Sequence, residues 1–311
     1  MTDPVFNRIA IIGTGLLGAS IAHAVSAYGG AAQVAMFDGD AAARDLAGKI
    51  VPGQVSQTLQ DAAENADAVF LCTPVGVFGE ITASIAPFLK PGSILTDVGS
   101  VKSRAYDDMR AACPDNVHLI PGHPIAGTEK SGPDAGFASL FRDAWHILTP
   151  EDNPDPDYQA ALANLTLFWQ GLGAKVEHMD VARHDRVLAI TSHLPHLIAY
   201  NIVSTAYDME NVKDGEVVKY SAGGFRDFTR IAASDPVMWR DVFLGNKDAV
   251  LETLGRFSED LAVLQRAIRW GDGDTLMREF QRARGIRKAI IDAGLDTAEA
   301  DFGRRHPDAE D

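Results

Sequence analysis

Gly13-Thr14-Gly15-Leu16-Leu17-Gly18 decides the fold of this chain. The five residues before it, 8–12, are a short apolar run of strand character, and residues 19–28 after it read as a helix. A second short strand, 34–37, ends at Asp38, 20 positions beyond Gly18. A strand, a glycine-rich turn, a helix and an acidic residue closing the next strand form one βαβ unit.

The same alternation continues outward. Residues 41–49 read as a helix, 68–72 as a buried strand running into Thr73-Pro74, and 77–89 as an amphipathic helix. Residues 93–97 are a strand followed by Val98-Gly99-Ser100-Val101-Lys102, and 118–121 are strand-like before Gly122-His123-Pro124, which places His123 on a loop. Residues 145–149 and 174–178 add two strands around a helix over 158–171. Short apolar strands alternating with helices predict an α/β fold, a Rossmann-type doubly wound parallel sheet covered on both faces. From residue 181 the pattern changes to long helices over 187–204, 236–268 and 274–293. The expected organisation is a dinucleotide-binding domain over 1–180, an all-helical domain over 181–294 and a polar tail over 295–311.

The composition narrows the partners. Of the 311 residues, 28 are basic and 43 acidic, a formal charge of -15. Such a surface repels phosphate backbones and anionic lipid, which argues against nucleic-acid and membrane-surface roles. An anionic substrate would need a local cluster of Arg, Lys or His. The only cysteines, Cys72 and Cys113, make neither a disulfide framework nor a Cys-rich metal site. Residues 1–8 lack the basic and apolar regions of a signal peptide, and no stretch reads as an uncharged membrane span, so the expected compartment is the cytoplasm.

The glycines have separable roles. Gly13 permits the tight turn, Gly15 lets a pyrophosphate approach the backbone, and Gly18 lets helix and strand pack closely. The helix N-terminus that opens at Leu16 and Leu17 binds the anion. Asp38 accepts from ribose hydroxyls and repels a 2′-phosphate, which favours NAD over NADP; Arg44, six residues on, is the nearest competing cation. Ligands of such sheets sit beyond the carboxyl ends of the strands, where Thr73, Pro74 and Ser100 neighbour the nicotinamide end.

Four further segments carry chemistry: 97–102 (DVGSVK), 122–129 (GHPIAGTE), 184–196 (HDR and SHLPH) and 224–230 (GFRDFTR). In this order they resemble the prephenate and arogenate (cyclohexadienyl) dehydrogenases of tyrosine biosynthesis, over about residues 8–290. The resemblance implies oxidative decarboxylation: hydride leaves ring C4 for NAD+, the C1 carboxylate leaves as CO2, and prephenate gives 4-hydroxyphenylpyruvate or arogenate gives tyrosine. His123 matches the family's catalytic histidine, and a neutral imidazole suits the proton of the C4 hydroxyl. Ser100 matches the serine that touches that hydroxyl. Arg230 matches the arginine that holds the side-chain carboxylate, which a guanidinium does in bidentate fashion. Arg226 would share its helical face and is read as a solvated or paired residue.

His193 and His196 fall on one helical face. His196 is the expected substrate contact, and His193 is either a second contact or a core histidine. His184 and Asp185 are read as orienting their helix start. Glu129 gates the site, pairs with Lys102 or Lys130, or is a surface carboxylate. Asn246 is neutral where an arogenate ammonium would want an acid, which favours prephenate if it faces the pocket. No metal is expected. The helical domain is expected to form a homodimer. Two other readings stay open: a dehydrogenase of the β-hydroxyacid type, whose catalytic lysine would have to be Lys213 or Lys219, and an NAD-sensing protein without turnover.

Overall fold

Strand β1 (Phe6–Ile12) is apolar from Ile9 onward because both its faces are covered there; Asn7, near its start, is exposed and Arg8 half-buried. Ile9 and Ile11 enter one core cluster, while Ala10 and Ile12 enter the other. Strand β4 (Ala68–Leu71) divides in the same way, Ala68 and Phe70 against Val69 and Leu71. Each fully buried Ile or Phe contributes about 1.5–3 kcal/mol of transfer free energy, so these strands fix the centre of the sheet.

The computed structural model describes residues 3–128, 130–209 and 223–292. Helix α1 (Leu16–Tyr28) links β1 to β2 (Ala31–Phe37). Helix α2 (Ala41–Ile50), capped by the Asp40 side chain, leads to β3 (Gln54–Val55), and α3 (Leu59–Ala63), capped by Thr58, leads to β4. Helix α4 (Phe78–Ile85) precedes β5 (Ile94–Asp97), and α5 (Ser103–Arg110) precedes β6 (His118–Leu119). These six strands form one parallel sheet in the order β3-β2-β1-β4-β5-β6. The order reverses between β1 and β4, and the crevice beyond that switch point is where such sheets bind ligand.

The remaining strands depart from expectation. His123 lies in a strand, β7 (Gly122–Pro124), not on a loop. β7 runs antiparallel to β8 (Trp145–Leu148), which pairs in parallel with β9 (Lys175–His178), and these three make a separate sheet. The reason lies at Pro121, which has no N–H to continue the β5–β6 ladder. Its carbonyl instead accepts from Thr149 N at 2.9 Å, at the end of β8. Helix α6 (Pro156–Gly171) carries Phe168 and Trp169 into the core between these layers.

The expected helix over 77–89 is shortened to α4 by 3-10 turns at Val75–Val77 and Ala86–Phe88, the second set by Pro87. After β9 come α7 (Val181–Leu188), a π-helical turn at Ala189–His193, and α8 (Leu194–Met209). Contrary to the sequence reading, the run Val181–Met209 is long and apolar enough by composition to cross a membrane. It carries the buried His184, Asp185 and His193, all hydrogen-bonded inside the protein. Then follow α9 (Gly223–Thr229), a 3-10 turn at Arg230–Ala233, and α10 (Pro236–Gly245). The long helix expected over 236–268 is interrupted at Asn246, whose φ of -118° and ψ of 34° leave the helical region. Helices α11 (Lys247–Trp270) and α12 (Gly273–Asp292) complete the described chain.

By compactness the chain divides into Met1–Thr253 and Leu254–Asp311. The first unit contains both sheets, both core clusters and every residue discussed at the site below. In the second, Ile268, Trp270, Met277, Phe280 and Ile286 are exposed.

Candidate active site

The glycine turn leaves a cradle open on one side only. Gly13 has a φ of +101°, and a Cβ there would lie 2.7 Å from the Cys72 backbone; one on Gly18 would lie 1.9 Å from Gly13 O. A Cβ on Gly15 would meet nothing within 4 Å. Gly15 is also the N-cap of α1, without a side-chain cap, so the helix presents unsatisfied N–H groups at the open surface. That is the geometry a pyrophosphate requires. Thr73 Oγ1, beside Gly13, is buried without a partner and supplies an orphan polar atom at the neighbouring strand end. These residues fit a dinucleotide.

Asp38 is tied to the turn itself. Its Oδ2 accepts from Thr14 N at 2.7 Å and Thr14 Oγ1 at 3.1 Å, and its Oδ1 accepts from Asp40 N at 3.0 Å. One acceptor position on Oδ1 therefore remains for a ribose hydroxyl, fewer than the sequence reading assigned. Arg44 does approach: its Nη1 donates to the Asp38 carbonyl at 2.5 Å, and its guanidinium lies over the Phe37 ring.

On the far side of the switch point, Asp97 and Lys102 join the two sheets. Both side chains are fully buried and ion-paired. Lys102 Nζ also donates to Gly122 O at 2.6 Å, while Asp97 accepts from Gly99 N at 2.8 Å and Gly122 N at 3.2 Å. Burial pushes the Asp97 carboxyl up and the Lys102 ammonium down, and each opposes the shift in the other. The pair fixes the turn that carries Ser100 relative to the strand that carries His123.

His123 ends a chain of three side chains. Its Nδ1 lies 2.9 Å from His184 Nε2, and His184 Nδ1 lies 2.8 Å from Asp185 Oδ1. Asp185 also accepts from Lys102 N and Ser103 N, both at 2.8 Å. Burial alone would raise its carboxyl, but bonds from His184, Ser103 and Lys102 outweigh this and hold it at about 2. An ionised Asp185 only accepts, so His184 carries its proton on Nδ1 and accepts at Nε2. His123 must then donate from Nδ1, which leaves a lone pair on Nε2. Burial, with the neighbouring His184 and Lys102, holds His123 well below the ordinary imidazole value, so this ring is neutral, with its free lone pair on the outer nitrogen.

The other expected residues divide into two groups. His196 and Arg230 are electrostatic neighbours: burial and Arg230 lower the His196 pKa. His196 Nδ1 donates to Ser192 O at 2.8 Å, and its ring stacks on Trp239 at 3.7 Å, so Nε2 is its remaining polar atom. Arg226 lies in α9 and Arg230 begins the next, 3-10, turn. His193 and Asn246, by contrast, are buried against each other: Asn246 Nδ2 donates to Asp185 O at 2.7 Å and to His193 Nδ1 at 3.1 Å. Glu129, Lys213 and Lys219 lie outside the described residues. Among the described residues no group of His, Cys, Asp and Glu is arranged to hold a metal ion.

Sequence reasoning assigned no site role to Asp97 and Lys102 and only a helix-orienting one to His184 and Asp185. Their spacing within DVGSVK and HDR was visible; what they touch was not.

Comparison with known proteins identifies the relatives of this chain. Residues 21–178 match the family model for the prephenate dehydrogenase nucleotide-binding domain, and residues 180–282 match that for the prephenate dehydrogenase dimerization domain. The cyclohexadienyl dehydrogenase of Zymomonas mobilis is 42% identical over 92% of this chain and 97% of its own length. The prephenate dehydrogenase of Bacillus subtilis is 31% identical over 91% of this chain and 76% of its own. The crystal structure of the A. aeolicus prephenate dehydrogenase, in complex with hydroxyphenyl propionate and NAD+, superposes with a TM-score of 0.83 at 32% identity, covering 91% of this chain and 98% of that one. With both halves matched by its models, this chain belongs to the prephenate dehydrogenase family and is a dehydrogenase with a Rossmann domain for NAD.

Proposed function

We propose that this enzyme oxidatively decarboxylates prephenate or arogenate in tyrosine biosynthesis. The observation that carries the proposal is the His123–His184–Asp185 chain, which leaves the free lone pair of His123 on Nε2. When bound, NAD+ supplies the acceptor for the hydride that leaves ring C4. Gly13, Gly15, Leu16, Leu17 and Gly18 hold its pyrophosphate, Asp38 its ribose, and Thr73, Pro74 and Ser100 its nicotinamide end. His123 Nε2 takes the proton of the C4 hydroxyl, and Asp185 stabilises the resulting imidazolium through His184. The electron pair of the C1–carboxylate bond then enters the ring as CO2 departs, and His123 returns its proton to the aromatic oxygen. Ser100 holds the C4 oxygen, and Arg230 with His196 holds the side-chain carboxylate. Glu129, outside the described residues, is proposed from the sequence to gate the site.

The test is NADH formation with prephenate and arogenate, each with NAD+ and NADP+. His123→Asn should retain NAD+ binding and lose at least about 10² in kcat, the usual weight of a general base. Folded wild-type protein that binds NAD+ but turns over neither substrate would refute the proposal.

We further propose that residues up to about 180 serve the cofactor, that the helices beyond serve substrate and pairing, and that the chain works as a cytoplasmic homodimer. The exposed Ile268, Trp270, Met277 and Phe280, within or beside a segment matched by a dimerization model, support the pairing. Light scattering should give twice the chain mass, and a monomer at assay concentration would remove this part.

A further inference from the structure

His193 is the last residue of the π-helical turn Ala189–His193, and its side chain is fully buried. π-turns shift the face a helix presents and recur at functional sites. The amide of Asn246 donates to its Nδ1. An amide NH2 cannot accept, so Nδ1 bears the lone pair and the proton sits on Nε2. That Nε2–H is buried and has no hydrogen-bond partner. Buried donors are ordinarily satisfied, so this one requires an explanation.

The Ser100 backbone lies within electrostatic reach of this ring. Burial lowers the His193 ring to about 4, while Asp185 and the Ser100 backbone act in the opposite sense, as acceptors do. Two other contacts converge on the same turn. Gly245, just before Asn246, packs so closely on Val101, just after Ser100, that a Cβ would lie 3.0 Å from Val101 Cγ2. The Asp185 that receives the Asn246 amide through its carbonyl also binds Lys102 N and Ser103 N through its carboxylate. Asn246 has both amide protons spent inside the protein.

We propose that His193 is a positioning residue: locked by Asn246 as the Nε2–H tautomer, it sets the Ser100 turn, and Asn246 acts through His193 rather than on the substrate side chain. The proposal rests on Ser100 holding the C4 oxygen.

Two substitutions separate the nitrogens. His193→Asn keeps an acceptor where Nδ1 stood and removes the outer donor; His193→Gln places an amide donor near Nε2. Misplacement of a reacting group by about 1 Å costs on the order of 10²-fold, so His193→Asn should lower kcat by about 10–100-fold with KM values little changed, and His193→Gln should recover much of it. Asn246→Leu should lower kcat while leaving the prephenate-to-arogenate ratio of kcat/KM unchanged. Independently of turnover, nitrogen NMR of the wild-type histidines should show His193 as the Nε2–H tautomer and show that signature lost in Asn246→Leu. His193→Asn equal to or better than His193→Gln, the opposite tautomer, or a shifted substrate ratio in Asn246→Leu would overturn the proposal. Inactive wild-type protein would instead remove the reaction itself, and this proposal with it.

Discussion

Asp185→Asn tests the logic of the site at its root. The carboxylate accepts three hydrogen bonds: Oδ1 from Lys102 N and His184 Nδ1, and Oδ2 from Ser103 N. An asparagine has one acceptor oxygen. If that oxygen takes the Oδ1 position, its NH2 confronts the Ser103 N–H. If it takes the Oδ2 position, the NH2 confronts Lys102 N–H and donates to His184 Nδ1, which drives the His184 proton to Nε2. His123 would then have to accept at Nδ1 and carry its own proton on Nε2, and the base would be gone.

The stability cost follows from the carboxyl being held at about 2 rather than 3.8. At 1.36 kcal/mol per pH unit that difference is worth about 2 kcal/mol. Because the folded value lies below the unfolded one, this contribution is complete above pH 3.8 and is lost as pH falls toward 2. At pH 7 the variant should therefore melt roughly 4–8 °C lower. Its kcat should fall by about 10²–10⁴, the upper figure being that of the same change in a serine-protease triad. The assays are NADH formation at 340 nm and thermal denaturation, with NAD+ binding measured alongside. A folded variant whose kcat stays within about threefold of wild type would refute the tautomer argument.

Two other predictions follow from the same structure. His146 is buried, stacks on Trp169 at 3.8 Å, and has neither ring nitrogen hydrogen-bonded. Burial, followed by Lys102, holds its pKa well below 6.5, so the unfolded chain binds the extra proton and folding stability drops as pH falls below 6.5. His146→Phe should flatten that slope by up to about 1.4 kcal/mol per pH unit between pH 6.5 and 5, read by urea unfolding; an unchanged slope would refute it. In the glycine turn, Gly15→Ala should melt like wild type yet bind NAD+ weakly, whereas Gly18→Ala, with a Cβ 1.9 Å from Gly13 O, should lose stability and binding together. Calorimetry with and without NAD+ separates the two, and equal effects at both positions would contradict the assigned roles.

Much of this protein was determined by its sequence alone. Periodicity revealed the doubly wound sheet, because residues 9–12 of β1 and 68–71 of β4, paired at its centre, are buried on both faces and are therefore apolar. The glycine turn was legible because its chemistry is local: Gly13, Gly15 and Gly18 act through backbone, and the Asp38 carboxylate closes on the same turn, all within one βαβ unit. His123 and Ser100 entered as candidates through resemblance. Tertiary structure decided the rest. Pro121 diverts the chain into a second sheet, where β8 pairs with β7 and β9 with β8 rather than extending the parallel sheet. His123 and His184 are 61 positions apart, Lys102 and Asp185 are 83, and Asn246 reaches back 61 to Asp185. No periodicity links residues at such separations. Which nitrogen of each histidine holds its proton is set by those distant partners, so the position of the free lone pair on His123 is a property of the folded chain and not of any motif within it.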